Sequence, residues 1–234
     1  MTIHVDSAFA PVDHDGDLER IGGGNETEVF RTDDQRHVVK LKHEADQSLA
    51  GALACARQLR ATAAELAEWL GPRHTIPCHF YIARDSAGMA QVVVVQPNLR
   101  GARSLNDVDY AALTAAERAD LADQLAGLLQ RSRAMFRAVQ RMPDLYGRSS
   151  ASKADRKRRN SPLHFPWRLW SFLVRRNLLR SHNLMLTPDR RVVLVDYDPV
   201  RRSPIYKSVY YGIRRILFWR DGRMIERLRN GKAI

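Results

Sequence analysis

The residues of this chain best equipped for chemistry are Asn183 and Asp196, thirteen positions apart. Leu184 to Leu186 and Val192 to Val195 are short apolar runs, and Thr187-Pro188-Asp189-Arg190-Arg191 between them is rich in turn formers. That pattern predicts two strands and a turn, a hairpin that brings Asn183 and Asp196 together at one end. Two oxygen ligands held on rigid strands suit Mg²⁺, which takes one or two protein ligands and leaves its other positions to water and phosphate. Asp198 stands two residues further on.

A second group suits phosphate itself. Leu18 to Arg31 reads as strand, glycine turn, strand, with Gly22-Gly23-Gly24 at the turn. Asp33-Asp34-Gln35 then turns the chain into a third strand, His37 to Lys42, which carries Lys40. A glycine turn can lay backbone N–H groups over a polyphosphate because no Cβ blocks the approach. The same turn also serves as a plain hairpin connection, and the residues leave both readings open.

The remaining elements must hold these groups in place. Residues 45–70 are Ala/Leu-rich and stop at Gly71-Pro72, which predicts one helix. His79 to Ile82 and Gln91 to Val95 read as an antiparallel pair, the second β-branched throughout 92–95 like a strand covered on both faces. Gln96 to Gly101 breaks the pattern, where a hinge between lobes would fall. Thr114 and Glu117 form a capping box that opens a long helix ending near Met142-Pro143. Its stripe of Leu121, Leu125, Leu128, Met135 and Val139 is a core-facing one.

The spacing of Asn183 and Asp196 resembles that between the catalytic-loop Asn and the Asp of the Asp-Phe-Gly motif in protein-kinase-like enzymes. Gly22-x-Gly24-x-x-Thr27-x-Val29 resembles their Gly-rich loop, with Thr27 in place of the third glycine. The resemblance implies an α+β, bilobal protein-kinase-like fold. An N-terminal arm (1–17) would precede an antiparallel N-lobe (18–96) and a shortened helical C-lobe (97–234). It further implies ATP and Mg²⁺ as cofactors. Gly22 and Gly24 would cover the phosphates, Lys40 would neutralise the α/β oxygens, and Asn183 and Asp196 would hold the metal with Asp198 as an accessory ligand. Such enzymes pair the strand lysine with a helix glutamate; Glu65 and Glu44 are both candidates, neither well spaced from Lys40.

One position departs from the family. The catalytic Asp expected five residues before Asn183 is Leu178, which can neither orient nor deprotonate a hydroxyl. However, Pro143-Asp144-Leu145-Tyr146-Gly147 follows the long helix and looks like the start of the catalytic loop in bacterial small-molecule and lipopolysaccharide kinases. Asp144 and Asn183 would then be two halves of one loop, split by an insertion at about 148–182, with Asp144 as the catalytic base. Otherwise Asp144 is a turn residue and the chain is a pseudokinase, a nucleotide- or membrane-binding module. The 36 residues after Asp198 resemble the compact lipopolysaccharide-kinase group rather than eukaryotic-type protein kinases.

The charge of +12 is segregated: residues 148–234 carry 22 Lys and Arg against 6 Asp and Glu, whereas residues 1–147 carry 16 against 20. A patch of like charges meets an anion. In 148–182, Phe165, Trp167, Trp170 and Phe172 alternate with Arg168, Arg175 and Arg176, as on an interfacial helix, and 199–234 continues the mixture. The expected partners are therefore an anionic acceptor, such as a glycolipid, or an anionic membrane surface. Nucleic acid is the less favoured partner because no binding module is recognisable. Met1 to Asp17 shows no secretory signal, no run of eighteen apolar residues exists, and Cys55 and Cys78 are far apart. A cytoplasmic enzyme, peripheral at the inner face of the membrane, is the expectation.

Overall fold

The computed structural model describes residues 3–4, 19–23, 27–42, 48–84, 89–147, 177–197 and 204–232. Gly24, Asp198 and the predicted interfacial helix before Asn177 lie outside these residues. The described chain forms two compact units: residues up to Glu65 with Ile76–Leu99, and Leu66–Thr75 with the residues from Arg100 onward. The fold class is α+β, an antiparallel sheet followed by a largely helical part.

The first unit is a six-stranded sheet in the order β1-β5-β6-β4-β3-β2, every neighbouring pair antiparallel. The strands are β1 (Ile3–His4), β2 (Glu19–Gly23), β3 (Thr27–Arg31), β4 (His37–Lys42), β5 (His79–Arg84) and β6 (Ala90–Pro97). Helix α1 (Leu49–Leu70) begins in this unit. Its Ala52, Cys55, Ala56 and Leu59 pack with Phe80, Ile82, Val92 and Val94 on one face of the sheet. Val39, Tyr81 and Val95 cluster on the other, so the β-branched run is covered from two sides, as its composition predicted. Strand β6 continues through Pro97, two residues past the expected break. Pro97 sits at the strand end opposite His37, where its missing N–H costs little. Part of the expected N-terminal arm is strand: Ile3 and His4 pair with Ile82 and Tyr81 along the edge of β5. Cys55, buried, and Cys78, half-buried, are not joined in a disulfide.

The second unit is built on α2 (Ala115–Val139) and α3 (Pro204–Arg229) with a three-stranded sheet, β7 (Arg103–Ser104), β8 (Leu184–Leu186) and β9 (Val192–Leu194). The capping box at Thr114 and Glu117 opens α2, and Gln140 in the left-handed region closes it. Leu121, Leu125, Leu128, Leu145, Leu178, Leu184, Phe218 and Leu228 are all buried and form the apolar interior. Each such side chain contributes about 2 kcal/mol by leaving water. The predicted hairpin is present, with Leu184, Met185 and Leu186 opposite Leu194, Val193 and Val192. Its edge strand β9 is tied down on both sides. Gln124 on α2 accepts the Val192 N–H at 2.9 Å, His74 Nδ1 lies 2.8 Å from the Val192 carbonyl, and the Leu194 N–H donates to the His74 carbonyl at 2.9 Å. Among the described residues, no helix is long and apolar enough to cross a membrane.

Candidate active site

The site is assembled where the chain leaving α2 meets the chain entering the hairpin. Residues 141–147 have no regular structure, so their backbone groups need partners from elsewhere. Ser181, fully buried, supplies the first. Its hydroxyl donates to the Leu145 carbonyl at 2.6 Å and accepts the N–H groups of Asn183 and Leu184, each at 3.0 Å. One side chain thus saturates three main-chain groups and joins segments 36 residues apart.

Asn183 supplies the second link. Its Nδ2 donates to the Asp144 carbonyl at 2.9 Å, and its own carbonyl accepts the Val195 N–H at 2.9 Å. With Nδ2 used in this way, Oδ1 is the acceptor atom of the amide. Gly147 makes room for it. Gly147 has φ +33°, and a Cβ there would stand 1.8 Å from Asn183 Oδ1. Asp196, half-buried, directly follows Val195, so it and Asn183 are at the same end of the hairpin backbone.

The carboxylate of Asp144 is held as firmly as its backbone. Oδ1 accepts the Tyr146 N–H at 3.0 Å, an Asx-type turn, and Nη2 of Arg214 at 2.5 Å. Arg214 comes from α3 and its side chain is fully buried, whereas that of Asp144 retains 29% exposure. The guanidinium also lies 4.3 Å from the centroid of the Tyr146 ring. Beyond that ring, the Tyr146 hydroxyl donates to Asp221 Oδ2 at 2.5 Å, and Arg220 pairs with Oδ1 of the same carboxylate at 3.2 Å. Burial pushes the Tyr146 phenol well above its ordinary range, with the Asp221 charge adding to the effect. Burial also raises the Asp221 carboxyl, against the opposing pull of Tyr146, Arg220 and a hydrogen bond with the Leu178 backbone.

The predicted site residues are therefore distributed as follows. Asp144, Asn183 and Asp196 belong to the second unit, where the first two are in direct contact. Gly22 and Lys40 belong to the first. Gly22, Val29 and Lys40 are successive cross-strand partners on β2, β3 and β4, so Gly22, which with Gly23 lies within β2 rather than in the expected turn, shares one row of the sheet with the lysine. That row continues through Val94 to Phe80, on the face packed by α1, the helix that carries Glu65. Glu44, like Gly24 and Asp198, is outside the described residues. Leu178, at the position where protein-kinase-like enzymes carry an Asp, is a buried residue in a 3₁₀ turn, Leu178–Arg180.

Tyr146 and Gly147 entered the sequence reading only as part of the Pro143–Gly147 stretch, and Ser181, Arg214 and Asp221 were not picked out. The only trace of the last two is a spacing of seven on a helical segment, an acid amid many basic residues.

An amide oxygen and a carboxylate are hard donors, a type that suits Mg²⁺ better than a softer metal. Among the described residues there is no cluster of three or more His, Cys, Asp or Glu.

No protein-family model matches the chain, and no curated protein matches it. Among solved structures, the chain is similar to the aminoglycoside phosphotransferase APH(3'')-Id from Streptomyces rimosus. The two are 16% identical, with a TM-score of 0.41, over 93% of this chain and 87% of that one. Likeness at that level leaves the reading of the site to its own residues.

Proposed function

We propose that the chain is an ATP- and Mg²⁺-dependent phosphotransferase that moves the γ-phosphoryl group of ATP to a hydroxyl acceptor. The observation that carries this reading is the hydrogen bond from the Asn183 amide to the Asp144 carbonyl, spanning 39 residues of sequence. It supports taking the two residues as halves of one interrupted catalytic loop, as in protein-kinase-like enzymes.

In this reading Asp144 orients the acceptor hydroxyl and takes its proton. The acceptor oxygen forms a bond to the γ-phosphorus, the bond from that phosphorus to the bridging β,γ-oxygen breaks, and ADP leaves. Asn183 Oδ1 and the Asp196 carboxylate would hold Mg²⁺, with Asp198 as an accessory ligand. The bound metal supplies charge neutralisation at the phosphate oxygens. Lys40 would add a positive charge for the α/β oxygens, and the backbone at Gly22 and Gly24 would cover the phosphates.

For the acceptor, an anionic glycolipid or other membrane-surface hydroxyl is favoured by the segregated charge and by one face of α3. There Ile216 is 63% exposed and Trp219 57%, with Arg223 lying over the indole at 4.0 Å. An exposed apolar pair with Arg223 stacked on its indole suits the headgroup region of an anionic membrane, and supports the reading of a cytoplasmic enzyme peripheral at the inner face.

A second reading, a pseudokinase that binds nucleotide without turnover, is favoured by Leu178 and by the Arg214–Asp144 ion pair, which already occupies one oxygen of the carboxylate. The two separate on purified protein. Mg²⁺-dependent ATP binding lost in Asp196→Ala, together with ATP turnover lost in Asp144→Asn, supports the enzyme. Binding without turnover leaves the pseudokinase. Turnover indifferent to Asp196→Ala sinks the metal-site assignment.

A further inference from the structure

Helix α3 reaches both halves of the interrupted loop with one face. Arg214 and Asp221 are seven residues apart, two helical turns, and project to the same side. Arg214 ends on the Asp144 carboxylate, while Asp221 meets the Tyr146 hydroxyl and the Leu178 backbone. Tyr146 lies between them, its ring under the guanidinium and its hydroxyl on Asp221. Residues 144–146 and 178 are thereby held by a single rigid element.

A guanidinium is an expensive way to fill a helix interface. Removing it from water costs several kcal/mol, and an apolar side chain of similar volume would pack there without that cost. What an apolar residue cannot do is set the orientation of a carboxylate. The Arg214 donor and the Tyr146 N–H both land on Oδ1 of Asp144, and two directed bonds to one oxygen restrict rotation about the terminal torsion of that side chain.

We propose that Arg214 is a positioning residue for phosphoryl transfer: it holds the Asp144 carboxylate in the orientation that meets the acceptor hydroxyl, and Asp221 keeps it there through Tyr146. This rests on the reading of Asp144 as the catalytic carboxylate. Misplacement of a reacting group by about 1 Å costs on the order of 100-fold in rate. The loss should fall on kcat, with KM for ATP little changed, because Arg214 acts through Asp144 rather than on the nucleotide.

The test uses the full chain, Mg·ATP, and water as the acceptor. Arg214→Ala should lower turnover about 100-fold while the affinity for Mg·ATP stays within about twofold, and millimolar guanidinium should restore much of the loss. Asp144→Asn should lose turnover and gain nothing from guanidinium. Wild-type turnover in Arg214→Ala overturns the proposal, and so does a loss that guanidinium leaves untouched, which would mark a purely structural role.

Should Arg214→Ala not fold, Arg214→Met keeps the packing. A fall in turnover at unchanged ATP affinity supports the proposal, and unchanged turnover overturns it. Asp144→Asn separates the two levels. If that variant turns over ATP normally, the catalytic reading of Asp144 fails and this inference with it. If it is inactive while the Arg214 variants are not, this inference alone fails.

Discussion

Gly147 faces the side-chain amide of Asn183 so closely that a methyl group at Gly147 would stand 1.8 Å from Oδ1. Its φ of +33° adds a backbone conformation that side chains disfavour. The bare Cα is thus what allows the amide to reach the Asp144 carbonyl.

Gly147→Ala should therefore act on Asn183 before anything else. The clash and the backbone strain together should cost about 2 kcal/mol or more. The melting temperature should drop, and Mg²⁺-dependent ATP binding should weaken with it. Titration of Mg²⁺ against ATP affinity checks this, and an alanine variant with wild-type metal dependence would contradict the packing described.

Asp144 and Arg214 should be energetically coupled. Asp144→Ala leaves a fully buried guanidinium facing a lost partner, a loss of about 3 kcal/mol of stability. Asp144→Asn keeps an acceptor oxygen and should lose less. Combining Asp144→Ala with Arg214→Met should recover most of the loss, since neither charge then remains. Denaturant melts of the four proteins in the cycle measure the coupling. Simple additivity would mean that the pair contributes nothing as a pair.

His74 should make stability fall in mild acid. Burial lowers its pKa below the ordinary 6.5, so the folded protein holds the neutral ring more tightly than the unfolded chain does. Its contribution is then present above the unfolded value and is lost as pH falls below 6.5 toward the depressed folded value. His74→Asn retains a donor for the Val192 carbonyl and should flatten this part of the profile. Urea midpoints for both proteins across that range decide it, and identical slopes would remove His74 as the cause.

Ile216 and Trp219 should govern any attachment to anionic lipid. Replacing both with Ser should weaken cosedimentation with vesicles containing phosphatidylglycerol by at least about tenfold, as expected when two partly exposed apolar side chains no longer leave water. Vesicles of neutral lipid should bind poorly in either case. Undiminished binding by the double variant would shift the contact away from this face of α3.

What the chain declares locally, it declares well. The hairpin from Leu184 to Leu194 follows from apolar runs around a turn, and the turn alone sets which residues oppose each other. The capping box at Thr114 and Glu117 and the glycine after α1 are equally short-range signals, each complete within a few residues. The strands that carry Gly22 and Lys40 are likewise short-range features, although pairing puts Gly22 within β2 rather than in the turn. These parts of the fold were legible because their physics closes within a short window.

Tertiary structure decided the rest. Nothing local distinguishes Arg214 from the basic residues around it, because an arginine's burial depends on a carboxylate 70 residues away. Ser181 next to Leu145 and Gly147 against Asn183 are likewise contacts between segments that the chain order separates. The sequence by itself determined the short-range elements and the chemical types available to the site, but not the strand at Ile3–His4 or the helix at Pro204–Arg229. Only packing could decide which long-range partners those groups have, since burial and pairing arise when distant segments exclude water from one another.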